Sequence, residues 1–333
     1  MKEREFWIDA VRSFACICVV ATHAPIPSTE SGRIFVPFFN FLAVGGASIL
    51  FFMISGALIF YRQQEFVPFM KKRISRVVFP MVFWTIVIKI LECVSGRDDW
   101  SQFGQKIMMI PFYPQVGTFW FIYVIFGIYL LTPMISTWLA HTTRREVEWV
   151  LGIWGFTLTL RYFGGDKSSH IVDFHDGYLY YFFGYMGFAL LGYYLRKYFL
   201  RDTPLNWRYF LVPMIVVAVS FSVYPFVEHS MMQNHGTLHM AILAASYFLI
   251  IKKLPLSTLM RNIVYTFAQY SFGIYLVHNH IIKLYVVWPL LRGCGWGHLV
   301  EIPLITAMTV SLSFLLVWLI SKIVPGSKYI VGV

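Results

Sequence analysis

The sequence predicts an all-α fold: a polytopic transmembrane helix bundle of about ten membrane-spanning helices, with both termini cytoplasmic. Three observations predict it. Of 333 residues, 58% are hydrophobic and only 13% charged, where a soluble domain carries roughly a quarter charged residues. Apolar stretches long enough to cross about 30 Å of hydrocarbon recur along the whole chain. The basic residues fall on alternate loops between those stretches.

The spans read as 7–25, 40–61, 78–95, 118–140, 147–163, 178–196, 209–227, 237–252, 263–287 and 301–321, of which the fifth and eighth are the shortest. Ten crossings return the chain to the side on which it starts. With the N-terminus inside, eighteen of the 27 lysines and arginines fall in inner segments, among them Lys71, Lys72, Arg144, Arg145, Lys252 and Lys253. Only Arg33, Arg97, Lys106, Lys167 and Arg292 fall in outer ones. That bias sets the orientation. It also explains the net charge of +11 as a topology signal with anionic-lipid contact, not as a nucleic-acid surface.

The first segment differs from a cleaved signal peptide. Its start is mixed in charge (Glu3, Glu5, Asp9), and the most plausible cleavage point, after Ala24, is followed by Pro25. It is read as retained, within a single transmembrane domain over 1–333. No low-complexity tract, internal repeat or appended soluble domain stands out. Cys16 and Cys18, two apart on a helix, point away from each other. Cys93 and Cys294 both fall near the outer surface, which leaves a bridge between them open. There is no CxxC and no metal-spaced His/Cys set, so no metal is expected.

The first span, "WIDAVRSFACICVVATHAPIP", carries Arg12 near its start and His23 near its end. Eleven helical steps total about 1100°, roughly 20° past three turns, so on one helix both side chains share a face, about 16 Å apart along the axis. Three other basic residues lie inside spans: Lys89, Arg161 and Lys283, all near outer ends, where snorkelling explains them. Lys89 also lies three residues before Glu92. Arg12 can snorkel inward or pair with Asp9 at i−3, but sharing a face with His23 lets both line one cavity. Further on, "FMKKRISRVVFP" sets Arg73 and Arg76 at i,i+3. They are ordinary inner-side charge, as Lys71 and Lys72 are, or a guanidinium pair for a phosphate-bearing ligand. The ninth span, "YSFGIYLVHNHII", puts Ser271, Tyr275 and His278 on one face, either for packing or as a catalytic or acceptor-binding stripe. The outer loops are rich in Trp, Tyr, Phe and His, including Trp100, Phe112, Tyr113, His170, His175, Tyr178, Trp288 and Trp296. Such residues build interfacial belts and also suit sugar stacking.

Taken together, these motifs resemble the acyltransferase-3 family of integral membrane O-acyltransferases. "WIDAVRSFACICVVATH" is similar to that family's opening, with an arginine, ten residues and a histidine matched by Arg12 and His23. Its paired-arginine motif is matched by Arg73 and Arg76, and "FFMISG", "FWFIYVIFGIYLLTP" and "YSFGIYLVH" look like further family blocks. One departure lies before Phe51-Phe52, where the family commonly has a proline and this chain has Ser48-Ile49-Leu50.

The resemblance implies an acyl-CoA donor, here acetyl-CoA, and a cell-envelope glycan or lipid-linked saccharide acceptor in the bacterial inner membrane. Arg73, Arg76 and, deeper, Arg12 would bind the donor, and His23 would serve as general base or as nucleophile. Tyr275, His278, Ser55 and Trp120 are candidates for the acceptor side or the oxyanion. The rival class is a transporter or flippase for an envelope saccharide precursor with His23 as proton-coupling site. It would call for repeat symmetry or matching broken helices, and neither is visible in the sequence.

Overall fold

The structure is a computed structural model that describes residues 5–24, 35–159, 184–199, 206–223, 235–282 and 298–332. Arg161, Lys283, Cys294 and the outer-loop aromatics and histidines from 170 to 178 and at 288 and 296 lie outside the described residues. Every regular element among those described is helical. In order they are α1 (Phe6–Thr22), α2 (Phe35–Gly46), α3 (Ser48–Ile59), α4 (Phe66–Arg73), α5 (Phe79–Val94), α6 (Trp100–Met108), α7 (Trp120–His141), α8 (Arg144–Thr159), α9 (Tyr185–Tyr194), α10 (Arg208–Val223), α11 (Leu238–Lys253), α12 (Thr258–His280) and α13 (His298–Ile323). Among the described residues four helical stretches are long and apolar enough to cross a membrane: Val36–Ile59, Phe66–Val94, Gly117–His141 and Val300–Ile323.

Two of these stretches are interrupted internally, each for a local reason. The stretch expected over 40–61 is divided at Ala47, between Gly45-Gly46 and Ser48. Glycine is a poor helix residue, and the break falls beside the place where the family's proline is missing. The stretch expected from 78 begins at Phe66, so most of the 62–76 loop is helix. Between α4 and α5 the chain widens into a π turn over Ile74–Val78, with the Phe79 N–H bonded to the Ile74 carbonyl five residues back. Pro80 is the cause visible in the sequence. It has no N–H to donate to the Arg76 carbonyl four residues earlier, and its ring crowds that carbonyl.

The chain divides into two compact units. The first holds Met1–Thr22, Ser28–Gln64 and Leu131–Ala268. Its most extensive helix pair is α3 with α9. A methyl group on Gly56 would overlap the Ala189 carbonyl, and one on Gly192 would overlap the Met53 carbonyl. The two glycines therefore let the backbones of α3 and α9 meet directly, as small residues do between membrane helices. Around this pair, Trp7 of α1 packs edge-on against Phe248 of α11, and Phe14 against Tyr247. The second unit holds His23–Pro27, Glu65–Leu130 and Gln269–Val333. In it the chain end folds back onto α5, where Trp84 Nε1 donates to the Ile330 carbonyl at 2.9 Å.

Candidate active site

The C-terminal half of α12 is where the second unit becomes most enclosed. Ser271, Tyr275 and His278 are all buried, as the shared polar face required, but Ile274, Leu276 and Val277 are buried with them. This helical segment is therefore covered on every side, and its polar groups have to find partners inside the protein. Tyr275 does so: its hydroxyl donates to the Thr118 carbonyl. Its ring lies against Phe121, with centroids 5.6 Å apart, and stacks on Phe272. The phenol has one hydrogen, and here Thr118 takes it, so Tyr275 anchors the helix at this point.

His278 is fully buried, at 0% exposure. Its Nδ1 lies 2.7 Å from the Tyr275 carbonyl oxygen. Its Nε2 is buried without a hydrogen-bond partner. The ring faces His23, with centroids 5.3 Å apart and planes tilted by 42°. The structure thus brings together two histidines that are 255 positions apart in the chain and that the sequence assigned to separate helices. His23 itself sits one residue beyond α1, which closes with Thr22 Oγ1 bonded to the Val19 carbonyl at 2.8 Å. The register derived for a continuous helix therefore runs from Arg12 to Thr22, and the His23 ring is placed by the following turn and by His278.

Arg12 is half-buried and forms an ion pair with the buried Asp9, at 3.8 Å, the i−3 pairing considered for it. Arg73 and Arg76 do not share one α-helical face, because the π turn begins between them. The Arg73 guanidinium lies 5.0 Å from the Phe69 ring centroid and 4.8 Å from that of Tyr129, and its Nε is buried without a partner. Arg76 is exposed. Ser55 on α3 is half-buried, as is Trp120 at the first position of α7.

One polar constellation was only partly legible. Lys89 is not a lone snorkelling lysine. It bonds Glu92 at 2.7 Å and approaches Asp98 at 3.7 Å. Asp98 is also bonded to Lys106, and Glu92 faces His280 Nε2 at 3.7 Å. The Lys89–Glu92 spacing signalled the first pair. Asp98 and Lys106 joined it through the turn before α6, which no periodicity announces. Cys16, Cys18 and Cys93 are all buried.

Apolar helices long enough to span a bilayer mark an integral membrane protein, in which the rings of the half-buried His23 and the buried His278 lie together. The pattern of the acyltransferase-3 family, described as an acyltransferase domain, matches residues 5–318. The chain belongs to that family and is a membrane acyltransferase. No curated protein and no solved structure matches it.

Proposed function

We propose that this acyltransferase is an O-acetyltransferase that moves acetyl from cytoplasmic acetyl-CoA to a hydroxyl of a cell-envelope glycan or lipid-linked saccharide, at or near the outer side of the bacterial inner membrane. On this reading the chain crosses the membrane ten times with both termini inside, an orientation that the distribution of its basic residues supports. The observation that carries the chemistry is the His23–His278 pair, with ring centroids 5.3 Å apart. An imidazole with an ordinary pKa near 6.5 can take the proton of a sugar hydroxyl near neutral pH. His23 takes that proton, the hydroxyl oxygen forms its bond to the acetyl carbonyl carbon, and the carbon–sulfur bond breaks. The CoA thiolate leaves and receives the proton from His23. Direct transfer of this kind needs no acyl-enzyme.

Arg73 is the best-supported donor contact. Its planar cation is braced by Phe69 and Tyr129 and retains an unpartnered Nε, and guanidinium binds phosphate in a bidentate manner. By the family resemblance, Arg76 and Arg12 are further donor-binding candidates. The test is purified protein in lipid vesicles given labelled acetyl-CoA and a panel of methyl glycosides of glucose, galactose, rhamnose and N-acetylglucosamine. Release of CoA with alkali-labile label on a glycoside is expected. No release above that of protein-free vesicles with any acceptor overturns the reading.

A further inference from the structure

The hydrogen bonding of His278 specifies more than its burial does. Its Nδ1 lies 2.7 Å from the Tyr275 carbonyl oxygen, and a carbonyl oxygen can only accept, so Nδ1 carries the hydrogen. In the neutral ring the lone pair is then on Nε2, the atom that is buried and without a partner. A buried acceptor with nothing to accept is costly to leave so, and such an atom calls for a function. It also rules His278 out as an oxyanion donor in this state, since neither nitrogen has a hydrogen to spare.

We infer that His278 is a positioning residue whose Nε2 accepts a hydrogen bond from one ring nitrogen of His23, fixing the tautomer of His23 and turning its other nitrogen to the acceptor hydroxyl. At a centroid separation of 5.3 Å, two imidazole nitrogens rotated toward each other come within hydrogen-bond reach. Catalytic hydrogen bonds of this kind are often long in the unliganded enzyme and tighten when substrate binds. His278 moves no proton. It plays the part that a carboxylate plays for the histidine of a hydrolytic triad, with a neutral acceptor suited to an enclosed site. Its own orientation is set in turn by Tyr275, whose carbonyl holds Nδ1 and whose hydroxyl is pinned to Thr118.

The inference rests on the proposed transferase reaction, and the experiment separates the two. Three forms are compared in vesicles with labelled acetyl-CoA and the same methyl glycosides: the parent, His278→Phe and His278→Gln. Phenylalanine keeps the ring and removes the acceptor, whereas glutamine places a carbonyl oxygen near the position of Nε2. The expected result is a fall in kcat of at least about tenfold for His278→Phe, since an orienting partner of a catalytic histidine is worth up to about 10⁴-fold. The KM for acetyl-CoA should be unchanged, and His278→Gln should recover part of the rate. A parent that transfers acetyl beside a fully active His278→Phe overturns the role of His278 and leaves the transferase reading intact. A parent that transfers nothing removes both. If His278→Phe does not fold, nitrogen-15 NMR of labelled histidine in the parent decides. A hydrogen on Nδ1 with Nε2 accepting is expected, and a hydrogen on Nε2 overturns the proposal whatever the activity.

Discussion

At the scale of single residues, the proposed chemistry separates the arginines from the histidine. His23→Ala should still bind acetyl-CoA and lose about 10²–10⁴ in rate, the usual cost of removing a general base. His23→Gln should be equally inactive, because an amide cannot take up the proton. Equilibrium binding and single-turnover transfer, measured on the same preparations, check this. A folded His23→Ala enzyme working at the parental rate would remove the base from the mechanism. Arg73→Ala should weaken acetyl-CoA binding by roughly 10- to 150-fold, equivalent to one charge-assisted hydrogen bond of about 1.5–3 kcal/mol. Arg73→Lys should recover only part of it, since a point charge neither forks nor stacks on Phe69 and Tyr129 as guanidinium does. Acetyl-pantetheine, which lacks the nucleotide phosphates, is the control: its binding should not change in either variant. Equal losses for both ligands would mean that Arg73 is only a packing residue.

At the scale of elements, close approach and local charge make separate predictions. The α3–α9 contact depends on Gly56 and Gly192. Gly56→Ala should cost about 1–3 kcal/mol, as overpacking does, and lower the melting temperature in detergent. Gly152→Ala on α8, where an added methyl meets nothing within 4 Å, should not. In the turn before α6, the hydrogen bond from Lys106 holds the Asp98 carboxyl below its ordinary value. A carboxylate shifted down in the folded state stabilises that state above its unfolded pKa and ceases to do so as pH falls through its folded one. The turn should therefore stay equally ordered from neutral pH down to the ordinary carboxylate range and loosen only in stronger acid. A spin label on the exposed Met108 would read this as mobility. Asp98→Asn should be mobile at every pH, and a turn that loosens already near pH 6 would contradict the assignment. The π turn belongs to this scale too. Pro80 accounts for it once the structure is seen, whereas i,i+3 spacing alone put Arg73 and Arg76 on one face.

At the scale of the whole molecule, the ten-span arrangement makes its own prediction. Single cysteines introduced in 62–76, 141–146, 196–208 and 252–262 should react with an impermeant reagent only from the inner side, and those in 97–117 and 164–177 only from the outer side. Finding 62–76 labelled from outside would reverse the orientation and remove Arg73 and Arg76 from a cytoplasmic donor. The family and the helical class were legible in the linear sequence, and the candidate site residues could be named there. Apolar run length and hydrophobic content are sums over neighbouring residues, and Arg12, His23 and the "YSFGIYLVH" block are local motifs. Helix ends were legible unevenly: the stretch expected from 78 begins at Phe66, and α1 stops at Thr22, so the Arg12–His23 register came close and then broke at its last step. The partners of the polar groups were not legible. That His23 meets His278, that the Tyr275 hydroxyl goes to Thr118, and that Lys106 joins Asp98 beside Lys89 are pairings across separate segments. Periodicity reports which face of a helix is polar, but only packing decides which other segment that face meets. The role of His278 follows from that difference: the sequence by itself determined a histidine on an interior face, and the tertiary structure decided which of its nitrogens was left to accept.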